Sequence, residues 1–465
     1  MLAAVALLGA CKGAPAPRST SPAPRPGNGW SVLLITVDTL RADHLGSYGY
    51  RRATSPRIDS FGRTAMVFDQ AYTYWPKTRA SFVMLLTGRR PSQNGYSRTR
   101  PTLLGFNPTL ASVLQDAGYR TSAIVDNANV ARSLGYAKGF GAYRELWEEP
   151  GLGSEWDRTL AITAGGVRLL RQASEPFLLW LHYVNPHAPY RPPAPFDSRF
   201  VDAATESGPR LPVVPQFQGG IPKALHVEGH DRPGYYVAQY DGEVAAVDAQ
   251  IGEVLAALTA SPAAERTLTI VTSDHGESLG EHDYYFDHGA DLYQPCLRIP
   301  LMIRVPGPAS PGRSGVLAST LDLMPTVLDA LKLPYPPDLA GTSLLPVLTG
   351  GGPPRRERLF AQNDRDLAAT FDARFKLVAS FGDQGTRYAL YDRKADPGET
   401  RDVSSEHADE LRIHRRELER YLELAGREQR ATERLLAGSP AGAERISPQA
   451  CEQLKALNYV QECPQ

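Results

Sequence analysis

Two short strings in this 465-residue chain put acidic and imidazole side chains where a metal-assisted reaction needs them. One is Val37-Asp38-Thr39-Leu40-Arg41-Ala42-Asp43-His44, the other Ser273-Asp274-His275-Gly276-Glu277. Each follows an apolar, β-branched run, so Asp38-Thr39 and Asp274-His275 fall at the C-terminal ends of two strands. An Asp from one strand end and an Asp-His pair from another make a hard-to-borderline donor set. It suits one divalent cation, Ca, Mg, Mn or Zn, and one further oxygen would complete it. Taken singly, either Asp serves equally well as a cap or turn residue.

The elements that must hold these residues have the spacing of a βαβ protein. Apolar runs at Ser31–Val37, Thr121–Val125, Phe177–Leu181, Leu268–Thr272 and Leu301–Val305 are separated by longer stretches. Of these stretches, Leu110–Ala117 and Tyr236–Leu258 carry helical periodicity. The pattern predicts an α/β fold with a large, mainly parallel sheet sandwiched by helices, with ligands beyond the carboxyl ends of the strands. From Arg355 to Asp402 it changes to small strands and turns, with Phe375–Val378 and Tyr388–Tyr391 before the turn Asp396-Pro397-Gly398. A charged helix is expected from about Ser404 to Leu436. Residues 29–354 are therefore expected as the main domain, and 355–465 as a smaller C-terminal α+β subdomain with a helical tail.

Hydrophobic residues make up 42% and charged residues 22%, which excludes a collagen-like, coiled-coil or wholly disordered chain. Fifty Lys plus Arg against fifty-one Asp plus Glu leave a net charge of −1, so no positive field exists to hold nucleic acid. Met1–Ala10 is apolar but shorter than the ~20 residues that span a bilayer, and reads as part of a signal peptide. Leu8-Gly9-Ala10-Cys11 resembles a bacterial lipobox, with Cys11 as the lipid-bearing residue. The expectation is an exported protein, a periplasmic or outer-membrane lipoprotein held to the membrane by an N-terminal lipid anchor. The Pro-, Ala-, Gly- and Ser-rich stretch up to residue 28 reads as a tether. Of the other cysteines, Cys296 reads as a buried inert thiol, and whether Cys451 and Cys463 pair depends on geometry.

Taken together, the two strand-end strings resemble the sulfatases of the alkaline phosphatase superfamily. The resemblance runs from about Ser31 to the segment Tyr388–Thr400. Ile35-Thr36-Val37-Asp38 looks like the family's first strand and metal Asp, and Asp274-His275 like its second metal pair. His182-Tyr183-Val184-Asn185-Pro186-His187 looks like its histidine segment, and Phe286-Asp287-His288-Gly289 like its later basic position. The resemblance implies a metal-dependent hydrolase of sulfate or phosphate esters, on small or glycan-type substrates. The metal would be held by Asp38, Thr39, Asp274, His275 and Thr78, and His187 and His288 would serve the leaving group. Lys77, Arg79, His182 and Asn127 are the implied substrate contacts, although His182 follows an apolar strand and reads equally as a core histidine.

The nucleophile departs from the family pattern. Sulfatases carry Cys or Ser in a Cys/Ser-x-Pro-x-Arg string ahead of Leu-Leu-Thr-Gly. Counting back from Leu85-Leu86-Thr87-Gly88 puts Thr78 at that position, with Ala80 in place of Pro and Phe82 in place of Arg. Thr cannot yield formylglycine, so none is expected. Its hydroxyl would attack directly, at the N-terminus of the helix that Gly88 closes, where the helix favours an anion. The plain alternative for Thr78 is an N-cap. Two other functions compete: a phosphodiesterase or phosphoethanolamine-transferase-like enzyme, which Thr78 favours, and a catalytically inactive sulfatase-like binding protein, suggested by Ala80 and Phe82.

Overall fold

A computed structural model of the chain describes residues 28–463, apart from 175, 206, 308–310, 353–355, 364–365, 438–445, 458 and 461–462. The expected signal peptide, Cys11 and almost all of the expected tether lie outside the described residues, as does the expected domain boundary at 354/355. The centre is an eight-stranded sheet. Its members are β1 (Ser31–Val37), β2 (Met66–Tyr72), β3 (Arg120–Val125), β4 (Ala142–Glu145), β5 (Phe177–Tyr183), β8 (Thr267–Ser273), β11 (Leu301–Arg304) and β12 (Gly312–Ser319). They lie in the order β12-β2-β11-β8-β1-β5-β3-β4. All pairs are parallel except those of β11, which runs antiparallel to β8 and β2. Two short ladders, β6 (Val213–Val214) with β7 (Ile221–Pro222) and β9 (Ser278–Leu279) with β10 (Tyr285–Asp287), sit outside it.

β1, β5 and β8 are buried along their whole length, because helices cover both faces. Alternate residues of β1 go to opposite layers. Val32 and Leu34 pack with Val83, Leu86 and Leu328 of the helices Thr78–Thr87 and Leu323–Leu331. Leu33, Ile35 and Val37 pack with Ile162, Val244 and Val247 of the helices Glu155–Arg171 and Pro233–Thr259. The five apolar runs are all strands of this sheet. β2, β4 and β12 carry weaker signals, as Asp69-Gln70 in β2 and Gly312–Gly315 in β12 break the apolar run.

A four-stranded antiparallel meander comes next: β13 (Leu359–Gln362), β14 (Leu367–Phe371), β15 (Phe375–Gly382) and β16 (Gly385–Asp392). Phe371, Leu359 and Ala369 pack with Tyr72, Leu292 and Leu317, joining this sheet to the main one. The charged helix spans Ala408–Leu436, four residues later than its predicted start. A last helix, Pro448–Ala456, returns to the main domain, and its Cys451 forms a disulfide with Cys463 beyond the helix end. Cys296 is a buried free thiol. Among the described residues no helix is long and apolar enough to cross a membrane.

Candidate active site

β1 and β8 are parallel neighbours with Val37 opposite Ser273, so Asp38 and Asp274, the next residue of each, leave the sheet side by side. Ser273 Oγ donates to Val37 O at 2.7 Å and accepts from Leu40 N at 3.1 Å, which locks the two strand ends together. Asp38, Asp274 and His275 are fully buried. One atom of each acid is already engaged: Asn127 Nδ2 donates to Asp38 Oδ2 at 2.5 Å, and His275 N to Asp274 Oδ1 at 2.9 Å. Asp38 Oδ1 and Asp274 Oδ2 are left buried with no hydrogen-bond partner.

His275 completes the cluster. Its Nδ1 faces Gly276 O at 2.9 Å, an acceptor, so Nδ1 carries the proton and Nε2 a lone pair. That Nε2 lies 3.3 Å from Asp274 Oδ2, 3.7 Å from Asp38 Oδ1 and 3.2 Å from Thr78 Oγ1. Gly276 is needed here, since a Cβ on it would stand 1.9 Å from Pro295 O. Burial and the adjacent Asp274 push Asp38 well above the usual carboxylate range, and burial pushes Asp274 up to about 7 and His275 down to about 4. Two unpartnered carboxylate oxygens and one imidazole lone pair, drawn together at one point, fit a divalent cation. Thr39 is fully buried at φ +53°, and its hydroxyl has no partner. A second acid-histidine group, Asp372, Glu410 and His414, lies between the meander and the charged helix, where Arg374 N and Phe375 N donate to Asp372 Oδ1 and His414 Nε2 stands 3.1 Å from Asp372 Oδ2.

Thr78 begins the helix Thr78–Thr87. The N-cap is Lys77, in an extended conformation, so Thr78 is not the cap. Its hydroxyl points at His275 Nε2, and Ser81 Oγ one turn on donates to Asp274 O at 2.8 Å, fixing this helix end over the acid pair. Lys77 stands beside the site: its side chain lies across Gly289, where a Cβ would approach Lys77 Cε to 2.5 Å, and its charge pushes His275 and His288 down. Arg79 is tied by Nε to Asn129 Oδ1 at 2.8 Å.

His187 and His288 face the same point from the other side, with rings 5.1 Å apart. Each is buried, 3% and 5% exposed, because the two rings cover one another and the ring of Tyr459 covers both. His187 Nδ1 donates to Ala188 O at 2.6 Å and His288 Nδ1 to Glu277 Oε1 at 2.9 Å, so both present an Nε2 lone pair to the Tyr459 hydroxyl, which in turn meets Thr78. Burial is the main cause that lowers both, His187 to about 4.

Two implied substrate contacts are corrected. His182 is fully buried: Nδ1 pairs with Thr36 Oγ1 at 3.0 Å, Phe82 lies against the ring, and Nε2 is 3.9 Å from Asp38 Oδ2. It backs Asp38 from inside the sheet, and burial lowers it to about 3. Asn127 is likewise engaged, its amide on Asp38 and its Oδ1 accepting from Asn129 N at 2.9 Å. Both orient a metal candidate instead of facing an ester.

Two further residues at the site carry no expectation from the sequence. Glu277 follows His275 by two residues and sets the tautomer of His288, while accepting from Tyr190 OH at 3.0 Å. Its place in Asp274-His275-Gly276-Glu277 was the available signal. Tyr459 comes from the distant tail, and its hydroxyl lies 2.9 Å from Thr78 Oγ1, 2.9 Å from His187 Nε2 and 3.4 Å from His288 Nε2. Nothing in its local sequence signals this.

The family model described as Sulfatase matches residues 31–333, and one described as N-sulphoglucosamine sulphohydrolase, C-terminal, matches residues 280–424. The uncharacterized sulfatase YidJ of Escherichia coli K12 is 27% identical over 414 residues, covering 79% of this chain and 82% of that protein. The Delta 4,5-hexuronate-2-O-sulfatase of Bacteroides thetaiotaomicron is 24% identical over 440 residues, covering 84% and 88%. The crystal structure of the phosphonate monoester hydrolase of Agrobacterium radiobacter shares the fold, with a TM-score of 0.70 and 22% identity over 86% of this chain and 96% of that one.

Proposed function

The chain belongs to the sulfatase family, a hydrolase lineage, and from that premise we propose that it hydrolyses sulfate or phosphate esters with Thr78 as the nucleophile at a one-cation centre. The observation that carries this is the Thr78 hydroxyl, at the head of its helix, 3.2 Å from the Nε2 of a buried Asp38–Asp274–His275 cluster. Asp38, Asp274 and His275 would hold the cation, which when bound favours the alkoxide of Thr78 and draws negative charge off the ester. The residues of the chain do the rest. Thr78 Oγ attacks sulfur or phosphorus while the ester oxygens lie against the helix N-terminus and Lys77. His187 or His288 takes the Thr78 proton on Nε2 and returns it to the departing oxygen. Water, deprotonated by the same lone pairs, then cleaves the Thr78 ester and restores the hydroxyl.

A threonyl ester has no gem-diol to expel its group, so the second step must be attack by water at sulfur or phosphorus. That supports phosphate, phosphonate or phosphodiester turnover at least equal to sulfate turnover. The replacement of the family's Arg by Phe82, packed against Trp180 and His182, removes one cation from the ester's surroundings, and Lys77 is the positive charge that remains beside it. Glycan-type substrates are supported by the sulfatase relatives and by a cavity of about 970 Å³ next to the His187 segment, which Trp147, Trp156, Arg158 and Arg191 line. Export and anchoring at Cys11 belong to the same proposal, supported by the Cys451–Cys463 disulfide, a bond that persists in oxidising compartments.

The test is a screen of metal-loaded protein against aryl sulfate, aryl phosphate, phosphonate monoester and phosphodiester substrates, with mass spectrometry of a trapped intermediate. Turnover with the group recovered on Thr78 is expected. Full cation occupancy with no turnover of any ester would favour the inactive binding protein.

A further inference from the structure

The helix Pro448–Ala456 is seated on the catalytic domain by specific contacts. Ala450, Cys451, Gln453 and Leu454 are buried, and Leu457 just beyond it is 3% exposed. Gln453 Oε1 accepts from Ala128 N at 2.7 Å, and its Nε2 donates to Asp126 Oδ1 at 2.8 Å, the same oxygen that holds Arg158. Ser447 caps the helix through Ala450 N and pairs with Glu148. Beyond the helix Tyr459 N donates to Leu454 O at 2.8 Å, and the Cys451–Cys463 disulfide ties Cys463 to the helix.

This seating delivers one polar group to the centre. His187 Nε2 carries a lone pair, so the Tyr459 hydroxyl donates to it and accepts from Thr78. The departing ester oxygen must reach the same Nε2 atoms to receive the proton taken from Thr78, so it would need the same position. Two oxygens cannot share it, since non-bonded heavy atoms do not approach closer than hydrogen-bond distance. The large cavity lies along the same helix, with Glu452, Gln453 and Ala456 among its walls.

We propose that Tyr459, carried by the docked helix Pro448–Ala456, is an autoinhibitory strap: its hydroxyl occupies the position of the departing ester oxygen between Thr78, His187 and His288, and substrate must displace it. This rests on the reading of Thr78 as nucleophile. The disulfide ties Cys463 to Cys451 of the docked helix, so Tyr459 can leave the centre only by a local opening, and cleavage of the disulfide by a dithiol removes that restraint and favours the open state. A strap seated in about nine molecules of ten raises the apparent Kd for anything that needs the open site about tenfold.

The experiment uses the full chain loaded with a divalent cation and titrated with inorganic phosphate by calorimetry, alongside hydrogen exchange at Leu457 and Tyr459 and turnover of a small aryl phosphate. Tyr459→Ala is expected to bind phosphate about tenfold more tightly than the unsubstituted protein, with higher kcat/KM. Tyr459→Phe, which keeps the ring, and Cys463→Ser should move in the same direction by less. Saturating phosphate should speed exchange at Leu457 and Tyr459. If Tyr459→Ala binds phosphate no more tightly, or if phosphate leaves exchange at these amides unchanged, the strap is refuted. Loss of turnover in Tyr459→Ala with phosphate affinity unaltered also refutes it and makes Tyr459 a participant in the reaction. If phosphate affinity rises as expected while no ester is turned over by any variant, the strap stands and the proposed hydrolysis falls.

Discussion

Glu277 offers the sharpest separation between positioning and mere packing. Its carboxylate accepts from His288 Nδ1 at 2.9 Å through Oε1, and from Tyr190 OH at 3.0 Å and Ala188 N at 3.4 Å through Oε2. Burial pushes its pKa up, while Tyr190 OH and Ala188 N both donate to Oε2, and the ionised carboxylate is the form that accepts from His288 as well. Glu277→Gln keeps the shape and removes the charge. If the amide oxygen stays on His288, its NH2 group faces Tyr190, whose hydroxyl can turn to accept, and Ala188 N–H, which cannot. A hydrogen bond to a charged group contributes about 1.5–3 kcal/mol and a neutral one about 0.5–1.5 kcal/mol, so the His288 bond weakens by about 1–1.5 kcal/mol. If the amide flips instead, His288 is forced into the other tautomer and loses its outward lone pair. Either way kcat/KM should fall about tenfold, and the stranded Ala188 N–H should cost roughly a further 1 kcal/mol in stability without touching the rate. Steady-state kinetics on the cation-loaded variant give the first quantity, denaturant unfolding the second, and nitrogen NMR of His288 reports the tautomer. A variant within twofold of the parent in kcat/KM, with the Nδ1–H tautomer retained, would falsify the positioning role.

Three other consequences are accessible to simple assays. Thr78→Ala should abolish turnover while leaving cation binding largely in place, whereas Thr78→Ser should keep measurable activity; near-normal turnover by the alanine variant removes Thr78 as nucleophile. Asp274→Ala should lose both the cation and activity, and elemental analysis showing full occupancy in that variant would defeat the ligand assignment. Asp248 accepts from Arg57 N and Ile58 N, and burial raises its pKa from 3.8 to about 7. The native state therefore binds more protons than the unfolded chain between these values, so its contribution to stability is present below about pH 4 and is lost as pH rises through about 7. Asp248→Asn should flatten that part of the thermal-unfolding profile, and an unchanged slope would show that Asp248 does not titrate there.

What the sequence determines by itself is local. The β-branched, mostly apolar runs that lead into Asp38 and into Asp274-His275 identify two strand ends, because a strand buried on both faces carries no unpaired charge and its first acidic residue marks where it leaves the sheet. The same holds for the helix that Gly88 terminates and that Thr78 begins. Which of these ends meet is decided by strand order, and β8, β1, β5 and β3 become neighbours only once chain segments far apart in sequence have packed. His182 illustrates this: its type and motif suit a ligand contact, but its position on the fully buried β5 turns it toward Thr36 and Asp38. Asn127 lies past the end of β3 and reaches Asp38, 89 positions away, across the end of β5. Tyr459 is the extreme case, 381 positions from Thr78. No periodicity couples residues at that distance, and only the docking of the Pro448–Ala456 helix on the loop around Ala128, with the turn back through Leu454, brings its hydroxyl to the nucleophile.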